Sequence, residues 1–98
     1  MNKKIFAVKL LPPRADFAQT MTEDERVIMQ QHAAYLESDM DKGIVQVFGP
    51  VLDPTGAYGF GIVSVDGEEE VKEFVSNDPA LKINTAQYYP MMATFPGK

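Results

Sequence analysis

The one histidine of this 98-residue chain, His32, is the side chain best suited to moving a proton near neutral pH, and no cysteine is present to act as a thiolate nucleophile or sulfur ligand. His32 lies four residues after Ile28 and four before Leu36, on or beside the apolar stripe of any helix that spans this region. An imidazole so placed needs a polar partner. It is either a satisfied core or interface histidine, or a general acid or base. Asp78 is the second conspicuous residue, a carboxylate just beyond a helical stretch, where the helix dipole disfavours negative charge. Pro79 pushes it out of helical conformation, and Asp-Pro is an ordinary cap for a short turn through Leu81 and Lys82. Capping and a functional role are compatible.

Other candidates carry weaker signals. Arg14 precedes a helix start and could hold a substrate carboxylate there, against the plainer reading of a solvated or Asp16-paired arginine. Gly49, Gly59 and Gly61 fall inside strand-like runs, where glycine weakens a sheet unless it permits close approach of a ligand or helix, so they could floor a cleft. Gly59-Phe60-Gly61 is no dinucleotide fingerprint, because no glycine-rich turn into a helix follows it. Asp53-Pro54 reads as turn chemistry and not as catalytic. A lone histidine among scattered carboxylates has no metal-ligand spacing, so neither a metal nor another cofactor is expected.

The elements that must position these residues follow from periodicity. Ile5 to Leu11 is β-rich and apolar on both faces around Lys9, and Pro12-Pro13 ends it. Arg14 to Met21 reads as a loop. Thr22 with Glu25 has capping-box spacing, and the apolar repeat runs from there to Lys42, with Gly43 as a left-handed cap. That helix is roughly twenty residues, or ~30 Å, long. Ile44 to Leu52 and Tyr58 to Val65 are strands joined by the turn Asp53-Pro54-Thr55-Gly56. Asp66 is expected to cap a second helix through Glu68 to Asn77, with Val71, Phe74 and Val75 inward. Thr85 to Phe95 supplies a fourth strand, and Pro90 marks it as an edge strand or a bulge. The order βαββαβ is the split βαβ, ferredoxin-like plan, an α+β fold with two helices on one face of a four-stranded antiparallel sheet.

That plan leaves the other sheet face bare, although Phe60 and Ile62 alternate with Val63 and Val65 and no third helix is available. A second copy of the chain is the simplest cover, so a homodimer is expected. Composition bounds the rest. Residues 1–98 suffice for a single domain, and a net charge of -5 repels phosphate backbones, which argues against a nucleic-acid partner. No stretch reaches the ~20 apolar residues of a spanning helix, so no membrane partner and a cytoplasmic location are expected.

Several stretches together resemble the YCII-related family over nearly the whole chain: Leu11-Pro12-Pro13-Arg14, Met21 to Arg26, His32 with Tyr35 and Leu36, Phe48-Gly49-Pro50-Val51, Gly59 with Gly61, and Asn77-Asp78-Pro79. The resemblance implies a dimeric α+β barrel of ferredoxin-like protomers, with His32 and Asp78 as an active-site pair. The wider superfamily includes a chloromuconolactone dehalogenase, muconolactone isomerases and cofactor-free monooxygenases. Two functions of different class are therefore expected. One is a cofactor-independent lyase or isomerase using the pair for proton transfer on a small, anionic or lactone-like metabolite. The other is a non-catalytic ligand-binding or accessory homodimer in which the pair is structural.

Overall fold

The computed structural model describes residues 3–97. Four strands, β1 (Lys4–Leu11), β2 (Val45–Val51), β3 (Tyr58–Val65) and β4 (Thr85–Pro90), form one sheet in the order β2-β3-β1-β4. Every neighbouring pair is antiparallel. A short helix α1 (Phe17–Thr20), the long helix α2 (Glu23–Asp41) and helix α3 (Glu68–Ser76) complete an α+β, ferredoxin-like fold, with a 3-10 turn at Pro79–Lys82. Among the described residues no helix is long and apolar enough to cross a membrane.

The start and stop of α2 are local chemistry. Thr22 Oγ1 accepts the Glu25 N–H at 3.2 Å while the Glu25 carboxylate accepts the Thr22 N–H at 2.9 Å, a closed capping box. At the other end Gly43 adopts φ +85°, a left-handed conformation that costs a glycine little. The Asp53 turn is equally local. Asp53 Oδ1 accepts the Thr55 N–H at 2.9 Å and the Thr55 hydroxyl at 2.7 Å, and these bonds, the backbone one first, hold its carboxyl below the ordinary carboxylate range.

Three expectations require correction. Residues 17–20, expected as loop, make one helical turn because Phe17 buries its ring and Thr20 N–H bonds Asp16 O at 3.1 Å. Asp66 does not cap α3. Gly67 occupies the N-cap, and Asp66 instead takes Lys3 Nζ at 2.8 Å while its own N–H donates to Glu70 Oε1 at 2.8 Å. The fourth strand ends at Pro90 rather than near Phe95, because its register pairs Phe6 with Pro90 and β1 has few residues left to continue the ladder.

Between sheet and helices lies a core of Phe6, Leu36, Val45, Val63, Val65, Val71 and Phe74. Alternation assigns the faces. Phe6, Val8 and Leu10 pair with Val63, Gly61 and Gly59 on the helix side, while Ala7 and Lys9 pair with Ile62 and Phe60 on the open side. A register shift between Val45 and Val47 turns Val45 into the core and Val47, opposite Ile62, out of it.

Candidate functional site

Asp78 follows α3 with extended backbone (φ -73°, ψ 124°), the conformation its following proline favours. Freed from the helix, its carboxylate does two things. Oδ1 accepts the Ala80 N–H at 2.9 Å and caps the 3-10 turn, and both Oδ1 and Oδ2 lie 2.9 Å from His32 Nδ1. The capping role and the pairing role expected from sequence thus coexist in one side chain.

Since a carboxylate only accepts, Nδ1 carries the proton that points at Asp78, and in the neutral ring Nε2 keeps a lone pair. The His32 side chain is 15% exposed and that of Asp78 9%. Among the described residues Nε2 has no hydrogen-bond partner, yet no side-chain nitrogen or oxygen there is both sealed from solvent and unpaired. Nε2 therefore keeps some access to solvent, and His32 and Asp78 both line one cavity.

That cavity measures about 370 Å³ and lies between the sheet and the helix layer, walled mainly by Phe17, Met21, Met29, Leu36 and Phe48. Gly59 and Gly61 face it from β3. A Cβ at Gly59 would come within 3.1 Å of Leu10 Cβ, and one at Gly61 within 3.3 Å of Val47 O, so side chains at either position would crowd the floor. Gly49 differs. It pairs with Phe60 on the open sheet face, a Cβ there would meet nothing within 4 Å, and it borders the cavity through its main chain.

Arg14 does not line the cavity. Its guanidinium grips Glu25 through both carboxylate oxygens, at 2.8 and 3.0 Å, and its Nε and a terminal nitrogen donate to Thr20 Oγ1 and Thr20 O at 2.8 and 2.7 Å. Asp16, the sequence-level partner, is 3.8 Å away. The Arg14 fork and the Thr22 N–H hold the Glu25 carboxyl down at about 2. A carboxyl whose folded value is depressed stabilises the fold fully above its unfolded value and loses that contribution as pH falls through the folded one. Glu25→Gln should therefore lower the melting temperature at neutral pH and flatten its fall between pH 4.5 and about 2. Scanning calorimetry across that window checks it, and parallel curves for the two proteins would contradict it.

Tyr35 supports the site from one turn along α2. Its hydroxyl donates to Phe74 O at 2.7 Å and its ring stacks on Phe74 at 5.6 Å. Burial above all, then the carboxylates of Asp39, Asp78 and Glu73, push its phenol up to about 12. It stays a neutral donor that ties α2 to α3, the two elements carrying His32 and Asp78.

Asn84 is the cavity residue that sequence reasoning passed over. It is 9% exposed, and its Nδ2 donates to Ala80 O at 2.9 Å and touches Met29 Sδ at 3.5 Å. A signal existed: Asn84 falls on the same alternation as Ala86 and Tyr88, which pair with Leu10 and Val8 on the helix side. Among the described residues no three His, Cys, Asp or Glu side chains converge to hold a metal ion.

The sequence pattern of the YCII-related domain is matched by residues 8–94. The chain belongs to the YCII-related family. Its YCII-related fold superposes on the 5-chloro-2-hydroxyhydroquinone dehydrochlorinase of Burkholderia phenoliruptrix AC1100, solved in complex with 2,5-dihydroxybenzoquinone, with a TM-score of 0.68. The two are 24% identical over 92% of this chain and 95% of that one, a likeness of fold. No protein of curated function is matched by the sequence of this YCII-related chain.

Proposed function

We propose that this protein is a cofactor-independent enzyme of the lyase or isomerase type, in which His32 takes a proton from a small substrate and returns it, while Asp78 orients the ring and stabilises the imidazolium. The observation that carries this reading is the pairing of His32 Nδ1 with both Asp78 oxygens at 2.9 Å, which leaves Nε2 as the free base on the wall of an apolar cavity of about 370 Å³. The bond broken is the acidic C–H or O–H of the substrate, its electron pair staying on the substrate and its proton going to Nε2. The same proton then returns to a different atom of the substrate, or to solvent when a leaving group departs. A dehydrochlorinase of the same fold supports a proton-removing reaction on this scaffold. An uncharged substrate suits the lining better than an anionic one, because the arginine considered for a carboxylate, Arg14, is committed to Glu25 and Thr20.

A panel of weakly acidic metabolites and lactones in deuterated water, followed by NMR with wild type and His32→Ala side by side, tests the proposal. Turnover or deuterium incorporation confined to wild type is expected, and equal behaviour of the two proteins would overturn it. The competing reading, a structural pair in an accessory dimer, is favoured by one fact: the same Asp78 carboxylate caps the turn that packs on α2.

The reading takes residues 1–98 as one folding unit that works as a homodimer in the cytoplasm, without nucleic-acid or membrane partners. What supports the dimer is the open sheet face, where Ala7, Phe60 and Ile62 keep partial exposure and Val47 is more than half exposed. Light scattering at micromolar concentration should return twice the mass of one chain. A monomeric mass with intact secondary structure would contradict it.

A further inference from the structure

Asn84 has one end of its amide committed and one end free. Nδ2 faces two acceptors, Ala80 O at 2.9 Å and Met29 Sδ at 3.5 Å, so the reversed amide would set Oδ1 against both, and the orientation is fixed by its neighbours. Oδ1 accepts no hydrogen bond from the described residues, although Asn84 is nine-tenths buried and forms part of the cavity wall. It is not sealed off, since among the described residues no side-chain oxygen is both buried and unpaired. Met29, which it touches, precedes His32 by three residues on α2, one turn away on the same helix face, and both Asn84 and His32 line the same cavity. Tyr58, also at the rim, shares the opposite sheet face with Lys9, whose ammonium lies 4.5 Å from the centre of its ring. Among the described residues no lysine or arginine lines the cavity.

Accordingly, we propose that Asn84 is a specificity-determining residue whose Oδ1 accepts a hydrogen bond from the ligand, so that the site selects small, uncharged, largely apolar molecules bearing two O–H or N–H donors, one for His32 and one for Asn84. This rests on the reading of His32 Nε2 as the open base. Two unpaired acceptors in an apolar wall discriminate by what they leave unsatisfied. A ligand lacking the second donor strands Oδ1 away from water, and a carboxylate sets its charge against two lone pairs with no cation nearby.

Phenol, resorcinol, anisole and benzoate serve as probes, with binding followed by NMR of the His32 ring nitrogens and the Asn84 side-chain amide. Wild type should bind resorcinol about tenfold more tightly than phenol, the usual worth of one buried hydrogen bond, and should bind anisole and benzoate more weakly than phenol. Asn84→Leu should bring the resorcinol-to-phenol ratio to near one without changing the affinity for phenol. If that variant does not fold, the wild-type protein decides, since resorcinol must move the Asn84 amide resonances and anisole must not. A ratio that survives in Asn84→Leu, benzoate binding as tightly as resorcinol, or no binding of any probe at millimolar concentration would overturn the assignment. The two readings fail separately. Shifts at His32 without any at Asn84 sink the specificity role alone, and shifts at Asn84 without any at His32 sink the open base on which it rests.

Discussion

His32→Gln should abolish turnover while leaving the protein folded. A positioned general base contributes ~10²–10⁴-fold to a proton transfer, so the variant should lose that factor in kcat with a much smaller change in KM. Glutamine keeps the polarity and most of the volume of the ring, and Asp78 Oδ1 retains the Ala80 N–H. The melting temperature should therefore move little. If the pair were structural, the missing donor would cost ~1–3 kcal/mol, and His32→Gln and Asp78→Asn would both melt several degrees lower. Calorimetry in one buffer alongside a rate assay on any substrate found separates the cases. Melting points that fall sharply in both variants, together with no substrate or ligand for the wild type, would remove the enzyme reading.

The second large effect is on stability. Phe74 is buried in the core, and its ring stacks on Tyr35 while its carbonyl accepts the Tyr35 hydroxyl. Phe74→Ala removes most of the ring's contacts and opens a void between α2, α3 and the sheet, for a loss of ~3–5 kcal/mol. For a domain of about 100 residues each kcal/mol shifts the midpoint by ~4–8 °C, so a fall of more than ~12 °C is expected. The Tyr35 hydroxyl keeps its acceptor, because the Phe74 carbonyl belongs to the backbone. Thermal unfolding followed by circular dichroism gives the answer, and a fall of only a few degrees would show that the site's supporting layer lies elsewhere.

What was legible in the sequence follows a physical pattern. The start of α2 was readable because its cap is made between Thr22 and Glu25, three residues apart, and its end because Gly43 takes a backbone conformation that glycine accepts cheaply. The span of β3 was readable because a strand's two faces alternate within a few residues. Asp78 was visible both as a cap and as a carboxylate in need of a partner, since Asn77-Asp78-Pro79 states its own local geometry. Its pairing with His32, 46 residues away in sequence, came from family resemblance and the need of each group for a counterpart.

Other features depend on contacts that sequence spacing does not encode. The spacing of Thr22 and Glu25 states the capping box, and nothing local shows that Arg14 reaches the same carboxylate. The end of β4 is set by where β1 runs out, which only the register reveals. Asn84 has no local sequence signal beyond its alternation with Ala86 and Tyr88, although its burial and its one-sided hydrogen bonding make it a further polar residue of the cavity wall beside His32 and Asp78.

The central claim is that Asp78 holds the His32 proton on Nδ1 and leaves Nε2 as a base facing the cavity. Because the chain has a single histidine, ¹⁵N–¹H correlation spectra of the ring can be assigned without ambiguity. At a pH where the ring is neutral, the account predicts the Nδ1–H tautomer as the dominant species in wild type, with that preference weakened in Asp78→Asn. A wild-type spectrum dominated by the Nε2–H tautomer would contradict it, since the nitrogen facing the cavity would then carry a proton and have no lone pair to offer.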